Sequence, residues 1–381
     1  MMDRTSPVRR VALETAWTWL DSQALAPPEV AAPVSIELVG RVLARDVLSA
    51  TDLPADTLTV IDGFAVRADD ILGASDYNLI RLCLGGTASA GSAVAVVAGG
   101  PIPAGFDTVL PVDCVERSGG AIDVATAVPR GNGVARAGQA VARGNRLLSA
   151  GSCLSAADVM LLSEARCDEV VLSGKPRVAL ASFGSKAGAD ISAATLAHLM
   201  ERDGAAVSAR PTTGGQLEPC PEADLVVVVG RSGWGQDDVA EAMISRHGAL
   251  AHHGLALRPC GSVGFGHLAG VPLVLLPGDP LSAWVAYELL VARLLRRWSC
   301  KPSLLAFGSE RCVLSRKIAS PVGTADWVPL VCEADGRVTP APIPAASPLS
   351  VIGRAHAFAL IPAASEGVAA GDAITVHPLK S

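Results

Sequence analysis

The sequence predicts a multidomain α/β protein built around a central α/β domain with a parallel-type sheet. Three observations carry that expectation. The chain has 381 residues, more than one ordinary hydrophobic core serves. Between about 175 and 300, near-continuous apolar runs alternate with helix-length amphipathic ones, the pattern of strands covered on both faces by crossover helices. On either side of that stretch the text turns to short strands broken every few residues by glycine and proline.

Composition narrows the class. Half of the residues are apolar and 18% are charged, which fits a packed globular chain rather than a disordered one. A net charge of −6 argues against a general nucleic-acid binder, while leaving room for a local basic pocket. The apolar runs "DLVVVVG" and "VPLVLLPG" are strand-sized, so no membrane span is expected. Nine cysteines without a C-x-x-C pair read as reduced core thiols of a cytoplasmic protein, not as a disulfide frame or zinc site. Of seven histidines only His252 and His253 are close, and neighbours in a strand point apart; a structural pair is expected rather than a metal site.

The elements follow in order. Residues 8 to 24 read as an amphipathic helix, with Ser6-Pro7 as N-cap and first helical residue. "ALAPPEVAAP" links it to "SIELVGRVLARDVLSATDLP", a short helix or helix–strand unit ending at Pro54. From about 55 to 138 lies an irregular β-rich domain, and "AADVMLLSEARCDEVVLSG" is a helix followed by a short strand. Then come strand "KPRVALAS", helix "ADISAATLAHLMERDG" closed by Gly204, buried strand "ADLVVVV" and helix "DDVAEAMISRHG". Strand "VPLVLLPG" and the long helix "PLSAWVAYELLVARLLRRW" complete the alternation. From about 301 onward, short proline-rich strands suggest a small β-barrel or sandwich.

In an open parallel sheet, ligands bind beyond the carboxyl ends of the strands. Three loops stand there: "FGSKAGAD", "GRSGWGQDD" and "PGDPLSA". Each has glycine or a helix start that suits an anion, and each also suits plain turn geometry. Asp62-Gly63 in "VIDGFAV" reads as a hairpin turn, which makes Asp62 structural on its own merits. The arginines of "GNGVARAGQAVARGNRLLSAG", Arg136 among them, either meet an anion or solvate a loop. No Ser-His-Asp or Cys-His set can be identified by spacing.

Taken together and in order, several of these segments resemble the molybdopterin molybdenumtransferase family, the MoeA and gephyrin E-domain type of molybdenum insertase. They are "GRVLARDV", "DLP", "IDGFAVRADD", "GGPIPAGFDTVLPVD", "PRVALASFG", "DLVVVVG", Gly264-Phe265-Gly266 and "LPGDPLSAWVAYELL". The anchors span nearly the whole chain, and it is their common spacing that makes the set specific. The resemblance implies four regions: a segmented helical domain from 1–46 with 139–174, a β-rich domain at 47–138, an α/β molybdopterin-binding domain at 175–300 and a small C-terminal β-barrel at 301–381. It implies a homodimer with the active cleft between subunits. The family reaction joins molybdate to the dithiolene of adenylylated molybdopterin and releases AMP, with Mg²⁺ involved.

Carried over residue by residue, the resemblance implies catalytic and metal-binding roles for Asp62 and Asp238, with Arg67 following Asp62 as expected. It implies molybdopterin or anion binding by Gly184, Gly230, Ser232, Gly233, Gly235, Arg258, Gly278, Asp279 and Ser347, to which Arg136 and the additions Arg231 and Trp234 are joined as candidates. Gly278 and Pro280 keep the Pro-Gly-x-Pro loop, with Asp279 in place of the usual Asn, and Arg258-Pro259 stands for Lys-Pro. Departures fall on the chemistry. Gly138-Gln139-Ala140 replaces Gly-Glu-Asp, and Phe183-Gly184-Ser185-Lys186 replaces Thr-Gly-Asp-Glu. Gly230-Arg231-Ser232-Gly233-Trp234-Gly235 replaces Gly-Gly-x-Ser-x-Gly, and Cys260-Gly261-Ser262 lacks the second lysine of Lys-Pro-Gly-Lys-Pro.

The exchange makes the expected cleft more positive. It favours an anionic ligand and disfavours Mg²⁺, which needs carboxylate or phosphate oxygens. Two functions are therefore carried forward: an insertase acting on molybdopterin and molybdate, and a non-catalytic molybdopterin carrier or maturation partner serving a molybdoenzyme apoprotein. A gephyrin-like scaffold rests on fold analogy alone. Arg231 and Trp234 either pair with a phosphate and stack on the pterin, or block the pocket.

Overall fold

The computed structural model describes residues 9–24, 28–183, 191–212, 217–299, 301 and 305–379. The chain divides into two compact units, Glu29–Ser173 and Met1–Pro28 with Gly174–Ser381. Among the described residues no helix is long and apolar enough to cross a membrane.

The unit Glu29–Ser173 holds a six-stranded sheet in the order Thr108–Pro111, Gly63–Val66, Ser92–Val96, Ile80–Leu84, Ala121–Val124, Val115–Ser118. Phe64, Val66, Ile71, Leu82, Leu110 and Ile122 form its core. The Asp62-Gly63 hairpin turn is not seen. Gly63 instead opens a central strand that pairs with Val96 on one side and Pro111 on the other. A Cβ there would run into the Leu110 carbonyl, so glycine is required by close backbone approach, not by a turn. Elsewhere in this unit, helix Ala156–Glu164 starts at a capping box made by Ser155 and Asp158. Beside it lie two ribbons, Glu29–Pro33 with Glu169–Ser173 and Val47–Leu48 with Arg146–Leu148. Strand pairing is thus as prominent as helix in a region expected to be helical.

In the second unit the N-terminal helix spans Leu13–Ser22, shorter than expected, and Ser6-Pro7 lies outside the described residues. The residues just before it are extended: Val11 bridges to Leu255 and leaves the helix to begin at Leu13. Leu13, Ala16 and Leu20 are buried in the α/β core, and the Trp17 indole donates to the Leu289 carbonyl at 2.9 Å. That burial is why this helix groups with residues 174–381 and not with 29–46.

The α/β sheet runs Ala206–Pro211, Arg177–Ser182, Leu225–Val229, Val271–Leu276, Gly264–Leu268, Gly248–His253. The first four strands are parallel and the last two antiparallel, so the expected parallel sheet is mixed. The cause is local. Ala269 and Gly270 both have positive φ and form a two-residue turn, which joins only antiparallel neighbours. Because chain order steps from Arg177–Ser182 to one neighbour and then to the other, the topological switch lies between Arg177–Ser182 and Leu225–Val229. All five residues of Leu225–Val229 are buried.

The long helix expected at 280–298 is continuous but carries a π-helical turn, Tyr287–Val291, between Pro280–Ala286 and Ala292–Trp298. The last segment forms a sheet of Leu257–Arg258, Ala325–Cys332, Ala357–Ile361, Ala373–Pro378 and Glu310–Val313, with Val338–Pro340 alongside. Among the described residues its pairing path is open at both ends.

Candidate functional site

The carboxyl ends of the parallel strands place two glycine loops side by side. Gly230, at φ +94°, follows Leu225–Val229 directly and donates its N–H to the Leu276 carbonyl at 3.1 Å. A side chain is disfavoured there on conformation alone. A Cβ on Gly278 would stand 3.2 Å from the Gly230 Cα, so the second and third strand-end loops touch backbone to backbone at this point. The first loop is visible only to Phe183; Gly184, Ser185 and Lys186 lie outside the described residues.

Between Gly230 and Asp238 the loop is held by its own polar groups. Arg231 also has positive φ, +50°, and its Nη1 donates to the Asp237 carbonyl at 3.0 Å. Ser232 is buried, its hydroxyl 2.8 Å from that of Ser262. Asp238 Oδ2 accepts the Gly235 N–H at 2.7 Å. The helix that follows, Ala240–Ile244, has five residues, too few to add much of a dipole.

Trp234 is half-buried. Its ring lies 5.3 Å from that of His253, with the planes 30° apart, and the Arg10 guanidinium carbon is 5.6 Å from its centroid. His253 is in turn fixed at both nitrogens, by the Ser232 carbonyl at 2.7 Å and the Glu241 carboxylate at 3.3 Å. The adjacent His252 turns the other way, onto Phe265 at 5.2 Å. The histidine pair is therefore structural and offers no joint ligand set.

The remaining expected residues of this unit are already engaged. Asp279 caps helix Pro280–Ala286, its carboxylate accepting the Ser282 N–H at 2.8 Å, so the helix start already carries a negative group. Arg258 forms a two-point ion pair with Asp326, whose Oδ1 accepts from Nε at 3.1 Å. The register of Leu257–Arg258 on Ala325–Cys332 sets these two opposite each other. They border an open cavity of about 520 Å³ that Lys317, Trp327, Pro340 and Ile343 also line. Ser347 begins the turn Pro348–Gly353, where its carbonyl accepts from the Ser350 hydroxyl at 2.7 Å. Cys260 is buried and donates toward the Ser282 carbonyl at 3.3 Å; burial first, and Asp279 second, push its thiol well above the ordinary range. A buried thiol so raised is a poor nucleophile and a poor metal ligand.

In the unit Glu29–Ser173, Asp62 is exposed and accepts the Ala98 N–H at 2.8 Å. Arg67 lies 4.0 Å from Asp70. Arg136 is exposed, and its N–H donates to the Gln139 side-chain carbonyl at 2.9 Å. Arg146 pairs with Asp46 at 3.4 Å, so part of this arginine run solvates its loop.

Magnesium would need several oxygen donors around one point. Among the described residues no three His, Cys, Asp or Glu side chains gather to hold a metal. Asp62 and Asp238 each accept a hydrogen bond from a backbone N–H, and they belong to different units. Among the described residues, the carboxylates within either unit do not fit a resident Mg²⁺. Sequence reasoning overlooked Arg10, Lys317 and Asp326, and assigned no role in the site to His253 or Ser262. Only Ser262 had a signal, its place at the end of the altered 258–262 segment.

The chain is similar to known proteins over most of its length. Residues 11–165 match the family described as "MoeA N-terminal region (domain I and II)", and residues 168–297 that described as "Probable molybdopterin binding domain". Molybdopterin molybdenumtransferase 2 of Mycobacterium tuberculosis is 27% identical over 387 residues, covering 91% of this chain and 95% of that protein. The molybdopterin molybdenumtransferase of Synechococcus elongatus is 27% identical over 394 residues, with the same coverage of 91% and 95%. The crystal structure of the molybdopterin biosynthesis moea protein from Pyrococcus horikosii superposes with a TM-score of 0.78 at 26% identity, covering 98% of this chain and 100% of that one.

Proposed function

The chain belongs to the MoeA family of molybdopterin biosynthesis proteins, and from that premise we propose that it acts in molybdenum cofactor biosynthesis, inserting molybdenum from molybdate into adenylylated molybdopterin with release of AMP. The observation that carries this reading is the contact of Gly230 with Gly278 at the carboxyl ends of two parallel strands, next to the topological switch. Bare backbone is left there to face a ligand, as phosphate and pterin recognition require. On this reading molybdopterin lies along Gly230–Gly235 with Trp234 beside the pterin, and molybdate is the second substrate. Asp238 manages protons as oxo groups leave as water, and a catalytic role for Asp62 rests on the family resemblance alone. The described carboxylates act here without a resident Mg²⁺. A homodimer is part of the same proposal, as is a cytoplasmic location; the eight described cysteines are all free thiols.

A second reading, a molybdopterin carrier or maturation partner for a molybdoenzyme apoprotein, is favoured by one observation. Both acids nearest the crevice are committed to the backbone: Asp238 to Gly235 and Asp279 to Ser282. The two readings separate when the protein is incubated with adenylylated molybdopterin, molybdate and Mg²⁺, and an apo-molybdoenzyme is then added. Activation of many equivalents of acceptor per protein supports the insertase. Binding of molybdopterin without acceptor activation contradicts it and supports the carrier.

A further inference from the structure

We propose that Arg10, in the extended segment before the first helix, is an anion-binding residue of the strand-end crevice and supplies the cation that the 258–262 loop does not itself provide. This rests on reading that crevice as an oxyanion site. The backbone fixes its position. Val11 donates its N–H to the Gly254 carbonyl at 3.1 Å and accepts from Ala256 N–H at 2.7 Å. The loop then doubles back, Leu255 N–H donating to the Gly261 carbonyl at 3.1 Å. Arg10 is thereby laid against Gly261: a Cβ there would stand 3.6 Å from both Nε and Nη2 of the guanidinium.

Its chemistry is that of a prepared anion receptor. The guanidinium carbon lies over the Trp234 ring, and such a contact does not consume the in-plane N–H groups, which suit two-point binding of a tetrahedral oxyanion. Trp234 is itself braced by His253, which Ser232 and Glu241 hold. Two other guanidinium groups are less available: Arg258 is neutralised by Asp326, and Arg231 is tied to the Asp237 carbonyl. Arg10 is exposed and has no carboxylate partner among the described residues. The oxyanion it meets is either molybdate or a phosphate ester of the adenylylated pterin.

Calorimetric titration of the full chain with molybdate and, separately, with AMP tests this. Arg10→Ala is expected to weaken binding of at least one probe about tenfold or more, the usual effect of losing a charge-assisted hydrogen bond. The probe that suffers identifies the source of the anion. Arg10→Gln, which keeps the contact with Trp234 but not the charge, must show the same loss. Adding Gly261→Lys to Arg10→Ala is expected to recover most of the affinity, since that lysine enters the space the guanidinium leaves. Wild-type affinity in both Arg10→Ala and Arg10→Gln overturns the proposal while leaving the crevice reading intact. Failure of the unaltered protein to bind either probe overturns both.

Discussion

Asp238 and Gly233 fit each other: Asp238 Oδ2 lies 2.5 Å from where a Cβ on Gly233 would be, while accepting the Gly235 N–H at 2.7 Å. The glycines at 233 and 235 leave room for this carboxylate within its own loop. Gly233→Ala is expected to displace Asp238, cost about 1–2 kcal/mol of stability and weaken molybdopterin binding. Asp238→Asn keeps an acceptor for Gly235 and is expected to preserve the melting temperature while lowering turnover. Melting curves paired with a pterin titration check both; an unchanged titration for Gly233→Ala would contradict a ligand-facing role for the loop.

The Arg258–Asp326 pair makes a second, opposite expectation. Asp326 is buried and Arg258 half exposed, so breaking the pair costs less than it would in a closed core. Asp326→Asn is expected to lower stability by about 1–3 kcal/mol and at the same time tighten oxyanion binding, because the guanidinium loses its counter-charge. A fall in both quantities would show that Arg258 needs Asp326 for its position.

The acids missing at 139 and 140 can be restored without disturbing the turn. Gln139 accepts the Arg136 N–H through its side-chain carbonyl, a bond a glutamate makes equally well, and Ala140 is exposed. Gln139→Glu with Ala140→Asp is therefore expected to fold normally and to raise the rate of AMP release severalfold, with a steeper dependence on added Mg²⁺. A double variant with unaltered rate would place the limitation elsewhere, in the 184–186 loop or in product release.

Away from the crevice, Asp203 ties the end of helix Ile191–Arg202 to Tyr287 and Arg296 of the long helix. It is fully buried and accepts from Arg202 at 2.7 Å, Tyr287 at 2.8 Å and Arg296 at 2.8 Å. Burial raises its pKa, and these three donors more than offset that, holding the carboxyl below its ordinary 3.8. Its stabilisation is thus complete above pH 3.8 and is lost as pH falls through the lower folded-state value. Glu288 acts in the other sense: burial raises its pKa, so stability declines as pH climbs from 4.5 toward that raised value. Asp203→Asn is expected to cost about 3–5 kcal/mol at neutral pH and to flatten the acid limb of a denaturant-midpoint profile. An acid limb as steep as before would assign it to other carboxylates.

Much of the architecture was legible because it rests on local pattern. "DLVVVV" admits only a strand buried on both faces, and Pro280 after Asp279 marks a helix start that the structure places there. What escaped depends on distant partners. Local pattern assigns "AVSARP" to no element, and it becomes a strand because Arg177–Ser182 pairs along it. Asp62-Gly63 imitates a hairpin because sequence does not reveal the Leu110 carbonyl pressing on Gly63. Asp326 lies 68 residues from Arg258, and Arg10 lies far from both Trp234 and Gly261 along the chain. The glycine loop was therefore readable as a place, whereas the charges that surround it were not.

The most direct test is a quenched time course of AMP release from adenylylated molybdopterin held by the purified protein, with and without molybdate. The insertase account expects AMP to appear only when molybdate is present, in step with molybdenum bound to the pterin. Tight retention of adenylylated molybdopterin, with no AMP released after molybdate and Mg²⁺ are added, would contradict it.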